Sequence, residues 1–210
     1  MPRQNRVQPD GAFLAHPARG AFMGNRGILH DAEGRLGRAR WRHRAWVCCL
    51  TEFGGRRRRV MAPGRYTELF FHDEAVALAA GHRPCGQCRR GAYRAFLDAA
   101  GHQGSIKDFD ARLHAERALS GRFGQRRHQA EIATLPEGAF LLDRNTPALL
   151  WQGALHRFSP AGYGAPRPRP TGRVTVLTPQ TTLRALTNGY APRVRLPDPP
   201  SKEDAGPQPG

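Results

Sequence analysis

The ten residues GHRPCGQCRR, 81–90, restrict this chain more than any other stretch. Pro84 lacks a backbone N–H and cannot continue a helix, so the apolar run AVALAA before it must end at Gly81 and the chain must turn. Asp73 and Glu74 start that first helix, where carboxylates oppose the dipole. A second helix is predicted to open near Cys85 and to close at Gly101, with Tyr93, Phe96 and Leu97 as its apolar stripe. Cys85 and Cys88 then share one face of its opening turn. The positive helix end and the neighbouring Arg83, Arg89 and Arg90 predispose both sulfurs to be thiolates. Thiolates at this spacing either chelate a metal or exchange a disulfide. A redox pair usually follows a strand, whereas here a helix comes first, and that favours metal.

The charge balance points to a partner. Thirty-three basic residues face seventeen acidic ones, a net charge of +16, and only Lys107 and Lys202 are lysines. GC-rich coding can replace lysine with arginine, but it does not explain the excess of base over acid. A polyanion, nucleic acid first and DNA before RNA, is therefore expected as the partner. Residues 1–60 carry thirteen arginines against Asp10, Asp31, Glu33 and Glu52. In RARWRHRAW, Arg38, Arg40, Arg42 and Arg44 alternate, so a strand would put all four on one side and Trp41 and His43 on the other. Arg56, Arg57, Arg58 and Arg59 follow a Gly-Gly turn that separates AWVCCLTEF from RRRRVMAPGRYTELFF, and alternate in and out near the tip of the predicted hairpin. These eight arginines, with Arg89 and Arg90, are the candidate phosphate contacts, solvated surface being the plain alternative. Upstream, Arg19 and Arg26 with Gly20, Gly24 and Gly27 could cradle an anion, although a turn-rich connection is the simpler reading.

No apolar run approaches the roughly 20 residues of a membrane-spanning helix. The N-terminal MPRQNRVQPDG has no apolar stretch behind its basic residues, so a cytoplasmic protein without a secretory signal is expected. Its four cysteines then suggest thiolate or metal chemistry rather than a disulfide framework, or plain buried thiols.

The segment YTELFFHDEAVALAAGHRPCGQCRR resembles the second half of the zinc-binding domain of Ada-type DNA alkylation-repair proteins, and similar zinc modules appended to some nucleases. There a strand, an EA…AG helix and an RPC..CR knuckle occur in this order. The resemblance covers about residues 46–90. It implies zinc on Cys85 and Cys88, completed from a second cysteine pair, and a DNA-phosphate surface. Here that second pair is the adjacent Cys48 and Cys49, which point to opposite faces of a strand, so only one of them reaches a shared ion. The fourth position falls to His72, His82, His30, His114 or water, and the family's alkyl-acceptor role does not carry over.

The same residues admit a rival. Zinc deaminases join H-x-E to P-C-x-x-C, and this chain holds HAE at 114–116 and PCGQC at 84–88 in reversed order. In mid-helix, His114 and Glu116 stand about 200° apart and do not converge. Glu116, on the face of Phe109 and Leu113, remains the candidate acid/base of a zinc-dependent hydrolase acting on nucleic acid or a nucleobase, a structural ion pair being the alternative.

The expected fold is α+β: a small antiparallel sheet with the CxxC knuckle and two or three packed helices over residues 1–130. A smaller strand and helix layer over 131–195 follows, within the same domain or beside it, and then a disordered tail over 196–210. A third helix is predicted over about 107–120. The segment AGYGAPRPRPTG is expected as a loop. Val174 and Val176 then read as a strand leading into a short helix capped by Thr178, with Pro179 at its first position and Gly189 after its end.

Overall fold

Short strands build the first layer of the computed structural model, which describes residues 1–55 and 59–197. β1 (Arg6–Val7), β2 (Phe13–Leu14), β3 (Phe22–Asn25), β4 (Val47–Leu50), β5 (Leu69–Phe71) and β6 (Arg83–Pro84) form one sheet in the order β2-β1-β5-β3-β4-β6. The sheet is mixed, because β1 runs parallel to β5 and β4 parallel to β6. β3 therefore lies between β4 and β5, and the predicted hairpin joining those two does not form. The reason is steric: a side chain at Gly24 would come within 2.5 Å of the Phe71 ring, so its absence lets β3 and β5 close on each other. Gly20 likewise sits against the Phe71 backbone, whereas Gly27 approaches Arg42.

Helix α1 (Glu74–Ala79) is wholly buried, capped by Asp73, whose side chain accepts from the Val76 N–H at 2.9 Å, and ended by Gly81 at φ +83°. α2 (Arg90–Ala99) and α3 (Ile106–Arg117) follow. α2 starts five residues after Cys85 rather than at it, since Arg83 and Pro84 pair with β4 and the turn 86–89 intervenes. Phe96, Phe109 and Leu113 pack with Leu78 and Tyr190 into a helical core.

β7 (Ala118–Leu119) and β8 (Gly124–Gln125) make a small hairpin. β9 (His128–Glu131), β10 (Phe140–Asp143), β11 (Thr146–Trp151), β12 (Ala154–Ser159), β13 (Gly162–Arg167) and β14 (Arg173–Val176) form an antiparallel sheet ordered β13-β12-β11-β10-β14-β9. The expected Pro/Gly loop thus contains an edge strand, β13, where Pro166 is tolerated because an edge leaves one row of backbone groups unpaired. α4 (Gln180–Thr187) closes the chain order. Its N-cap is Pro179, and Thr178 instead accepts the Phe140 N–H across to β10.

One apolar core crosses residue 130: Phe22, Phe71 and Ala75–Ala77 from the first layer pack with Phe140, Leu149, Phe158 and Tyr163 from the second. Burying each of the phenylalanine and leucine side chains contributes about 1.5–3 kcal/mol. The C-terminal segment is tied down as well. The N–H groups of Arg193 and Arg195 donate to Glu74 and Asp73, and Leu196 packs on the same core; residues 198–210 lie outside the described set. Among the described residues, no helix is long and apolar enough to cross a membrane.

Candidate metal centre

Strand alternation separates the two adjacent cysteines. Cys48 is 0% exposed and faces the core, so Cys49 faces the other way. β6 runs beside β4 with Pro84 opposite Cys48, and the Cys85 N–H donates to the Cys48 carbonyl at 2.9 Å, which brings Cys85 alongside Cys49. The turn that follows folds Cys88 back, where the Leu50 N–H points at its sulfur at 3.4 Å. The sulfurs of Cys49, Cys85 and Cys88 all lie within 4.8 Å of one another, and this group could hold a metal ion. All four cysteines are free thiols.

The donor set suits a soft cation. The Gln87 N–H points at the Cys85 sulfur at 3.4 Å, and the Cys88 N–H also reaches it. Backbone donors aimed at sulfur stabilise thiolate, the form that ligates. A hydrogen bond from the Cys49 thiol, reinforced by those N–H groups, brings Cys85 down to about 5. Cys49 is pushed up as the donor of that bond and by burial. Cys88 is also raised, first by burial, so the expectation that both knuckle thiols are predisposed to ionise holds only for Cys85. The arginines do not produce the shift: Arg83 is locked bidentate on Asp110 at 2.7 and 2.8 Å, and Arg89 bridges Glu74 at 2.7 Å and the Cys48 sulfur at 3.4 Å. The three thiols line a cavity of about 180 Å³ with Met23, Phe53, Tyr66 and Glu68.

Other predicted site residues are elsewhere. Cys48 is held in the core by Arg89, and burial pushes its thiol up. His114 is not in the sulfur group; its ring packs against Trp41 and Trp46 at 5.4 and 5.5 Å. Glu116 accepts the Thr181 N–H and hydroxyl, both at 2.7 Å, and so caps α4 from outside that helix. His72 bonds the Arg195 carbonyl, His82 accepts from Arg26, and His30 bonds Thr67.

The segment 38–44 is an irregular loop rather than a strand. Arg38, Arg42 and Arg44 are exposed, whereas Arg40 turns onto the Phe13 ring and the Gly37 carbonyl. Arg59 and Arg90 are exposed too. Arg89 is buried in its pairing with Glu74, which removes it from the candidate phosphate contacts. Arg56, Arg57 and Arg58 lie outside the described residues.

Two arginines are buried: Arg26, which the sequence offered only as one of the charges around a glycine cradle, and Arg117, which it did not single out. Arg26 and Arg117 are 2% and 1% exposed, each with its guanidinium carbon 3.9 Å from the Trp46 ring. A signal did exist: Arg26 continues the inward period of Phe22 and Gly24, and Arg117 continues that of Phe109 and Leu113. Glu68 at the thiol cavity was missed for lack of any such pattern.

No protein-family model matches the chain, and no curated protein or solved structure matches it.

Proposed function

We propose that the protein is a zinc-containing nucleic-acid-binding protein, with DNA as the preferred partner and DNA repair or defence as its setting. The convergence of Cys49, Cys85 and Cys88 with N–H groups aimed at two of the sulfurs carries this reading. Three thiolates favour zinc over harder divalent ions. When bound, zinc would tie β4 to the 85–88 turn and stabilise the folded chain. The nucleic-acid part is supported by the net charge of +16 and by the exposed Arg38, Arg42, Arg44, Arg59 and Arg90.

The experiment is anisotropy of labelled duplex and single-stranded DNA, and of RNA, titrated with the zinc-loaded protein over a salt series. The reading expects affinity to fall steeply with salt, and a combined Arg38, Arg42 and Arg44 to Ala variant to flatten the slope by about 1–3 charges. No binding at low salt, or binding indifferent to salt, would defeat it.

One observation favours a second reading, the hydrolase. The thiols form part of a cavity wall, and Glu68, a buried carboxylate that accepts the Met61 N–H at 2.6 Å, lies on the same wall. In that reading Glu68, not Glu116, would move a proton to or from the cavity's occupant. Turnover of DNA, RNA or a nucleobase that vanishes in Glu68→Gln while zinc content persists would select it.

A further inference from the structure

Arg26 and Arg117 have no carboxylate partner in any ion pair among the described residues. Backbone carbonyls and histidine rings satisfy part of each: Arg26 donates to the Ala80 carbonyl at 3.3 Å and to His82 Nε2 at 3.2 Å, and Arg117 donates to the Gly81 and Arg44 carbonyls and lies 3.5 Å from His114 Nδ1. Those bonds leave the positive charge unneutralised and the Arg117 Nε without any partner. Neighbouring carboxylates are committed, Asp110 to Arg83 and Glu116 to Thr181. Burial and the nearby Arg40 bring Arg26 down to about 9, and burial with Arg26 itself lowers Arg117 strongly. Two like charges in a dry site are costly unless something offsets them.

The site is not closed. Both arginines line a cavity of about 240 Å³, with Arg40, Trp41, Phe123 and Gln125 on its wall. The Gln125 Oε1 is a buried acceptor with no partner. Phe123 holds an unfavourable φ of +50° and its ring remains partly exposed at the wall, edge-on to Trp41 at 4.9 Å. At the rim Asp10 stands 4.0 Å from Arg127, so the one carboxylate on this wall faces a cation of its own. Paired guanidiniums match phosphate oxygens, and aromatic rings match a base.

We propose that this cavity binds a nucleotide, its phosphate on Arg26 and Arg117, its base against Trp41 and Phe123, and a base N–H donating to Gln125. The site is separate from the thiol centre and does not depend on a metal there. The phosphate can belong to a free mononucleotide or to a nucleic-acid strand.

Tryptophan emission and thermal shift, measured on the full chain with dAMP, deoxyadenosine and inorganic phosphate, test it. The expected result is saturable binding of dAMP, at least about tenfold tighter than deoxyadenosine, because a charge-assisted phosphate contact is lost in the nucleoside. Arg117→Gln should abolish the difference. Should that variant fail to fold, Arg40→Ser and Phe123→Ser at the cavity wall should each weaken dAMP by about tenfold. A short strand that binds tighter than dAMP identifies the strand as source, and equal binding identifies the free nucleotide. Equal affinity for dAMP and deoxyadenosine, no saturable response at millimolar dAMP, or wild-type binding by Arg40→Ser and Phe123→Ser would overturn the proposal.

Discussion

The two ends of the buried helix α1 are both charged, and they are handled differently. At its start, every carboxylate oxygen is matched: Asp73 takes the Val76 N–H, the Tyr163 hydroxyl at 2.8 Å and the Arg195 N–H, and Glu74 takes Arg89, the Tyr190 hydroxyl and the Arg193 N–H. At its end, Arg26 and Arg117 reach the Ala80 and Gly81 carbonyls but meet no carboxylate. A helix end favours cations in that position, so the arrangement is not perverse. The difference teaches how to separate structure from function among buried polar groups: a matched network holds the fold together, whereas an unmatched one leaves charge available to a ligand. The thiol cluster is a second group that could hold a ligand, in its case a metal ion.

Breaking the matched end should have the largest effect. Glu74→Gln leaves Arg89 buried without its counter-charge and is expected to cost about 3–5 kcal/mol in urea unfolding. Arg117→Met should cost less, about 1–3 kcal/mol, because it strips carbonyl hydrogen bonds and ring stacking but strands no opposite charge. Equal losses in the two variants would erase the distinction between the ends. Tyr163→Phe removes one of the hydrogen bonds to Asp73 and should cost about 1 kcal/mol.

The last comparison concerns pH. Burial lowers His82 well below its ordinary value and brings His114, near Arg117 and Arg44, down to about 4. Below pH 6.5 the unfolded chain then binds protons that the folded chain refuses, so stability falls as pH drops from 6.5 toward 4. Asp73 works in the opposite sense. Burial raises it, so acidification through its folded value toward 3.8 returns some stability. The urea midpoint should therefore decline on acidification, and His114→Phe should shrink that decline. A midpoint equally sensitive to pH in the variant would assign the effect to other groups.

Much of this was readable from residue order, and the failures share a cause. Asp73, Gly81, Phe96, Phe109 and Leu113 follow local rules of capping and periodicity, and they stand where those rules put them. The alternation of Cys48 and Cys49 likewise forecast that one thiol would reach the knuckle. What escaped depends on contacts between distant segments. β3 inserted itself between β4 and β5, the Glu116 side chain reached across from α3 to cap α4, and Arg89 turned inward to meet Glu74. The alternating arginines of 38–44 mimicked a strand, but no neighbouring strand pairs with them. Arg26 and Arg117 sat on core-facing periods, and their burial was not foreseen because arginine is so rarely buried without a partner.

Cobalt substitution across the four cysteine variants tests the central claim most directly. Cobalt bound by thiolates gives an intense sulfur-to-metal absorption that reports each ligand lost. The account predicts about one metal per chain in wild type and in Cys48→Ser, with the band lost or sharply weakened in Cys49→Ser, Cys85→Ser and Cys88→Ser. Reduced wild-type protein that takes up no cobalt or zinc, or a Cys48→Ser variant that loses the metal as fully as Cys85→Ser, would contradict it.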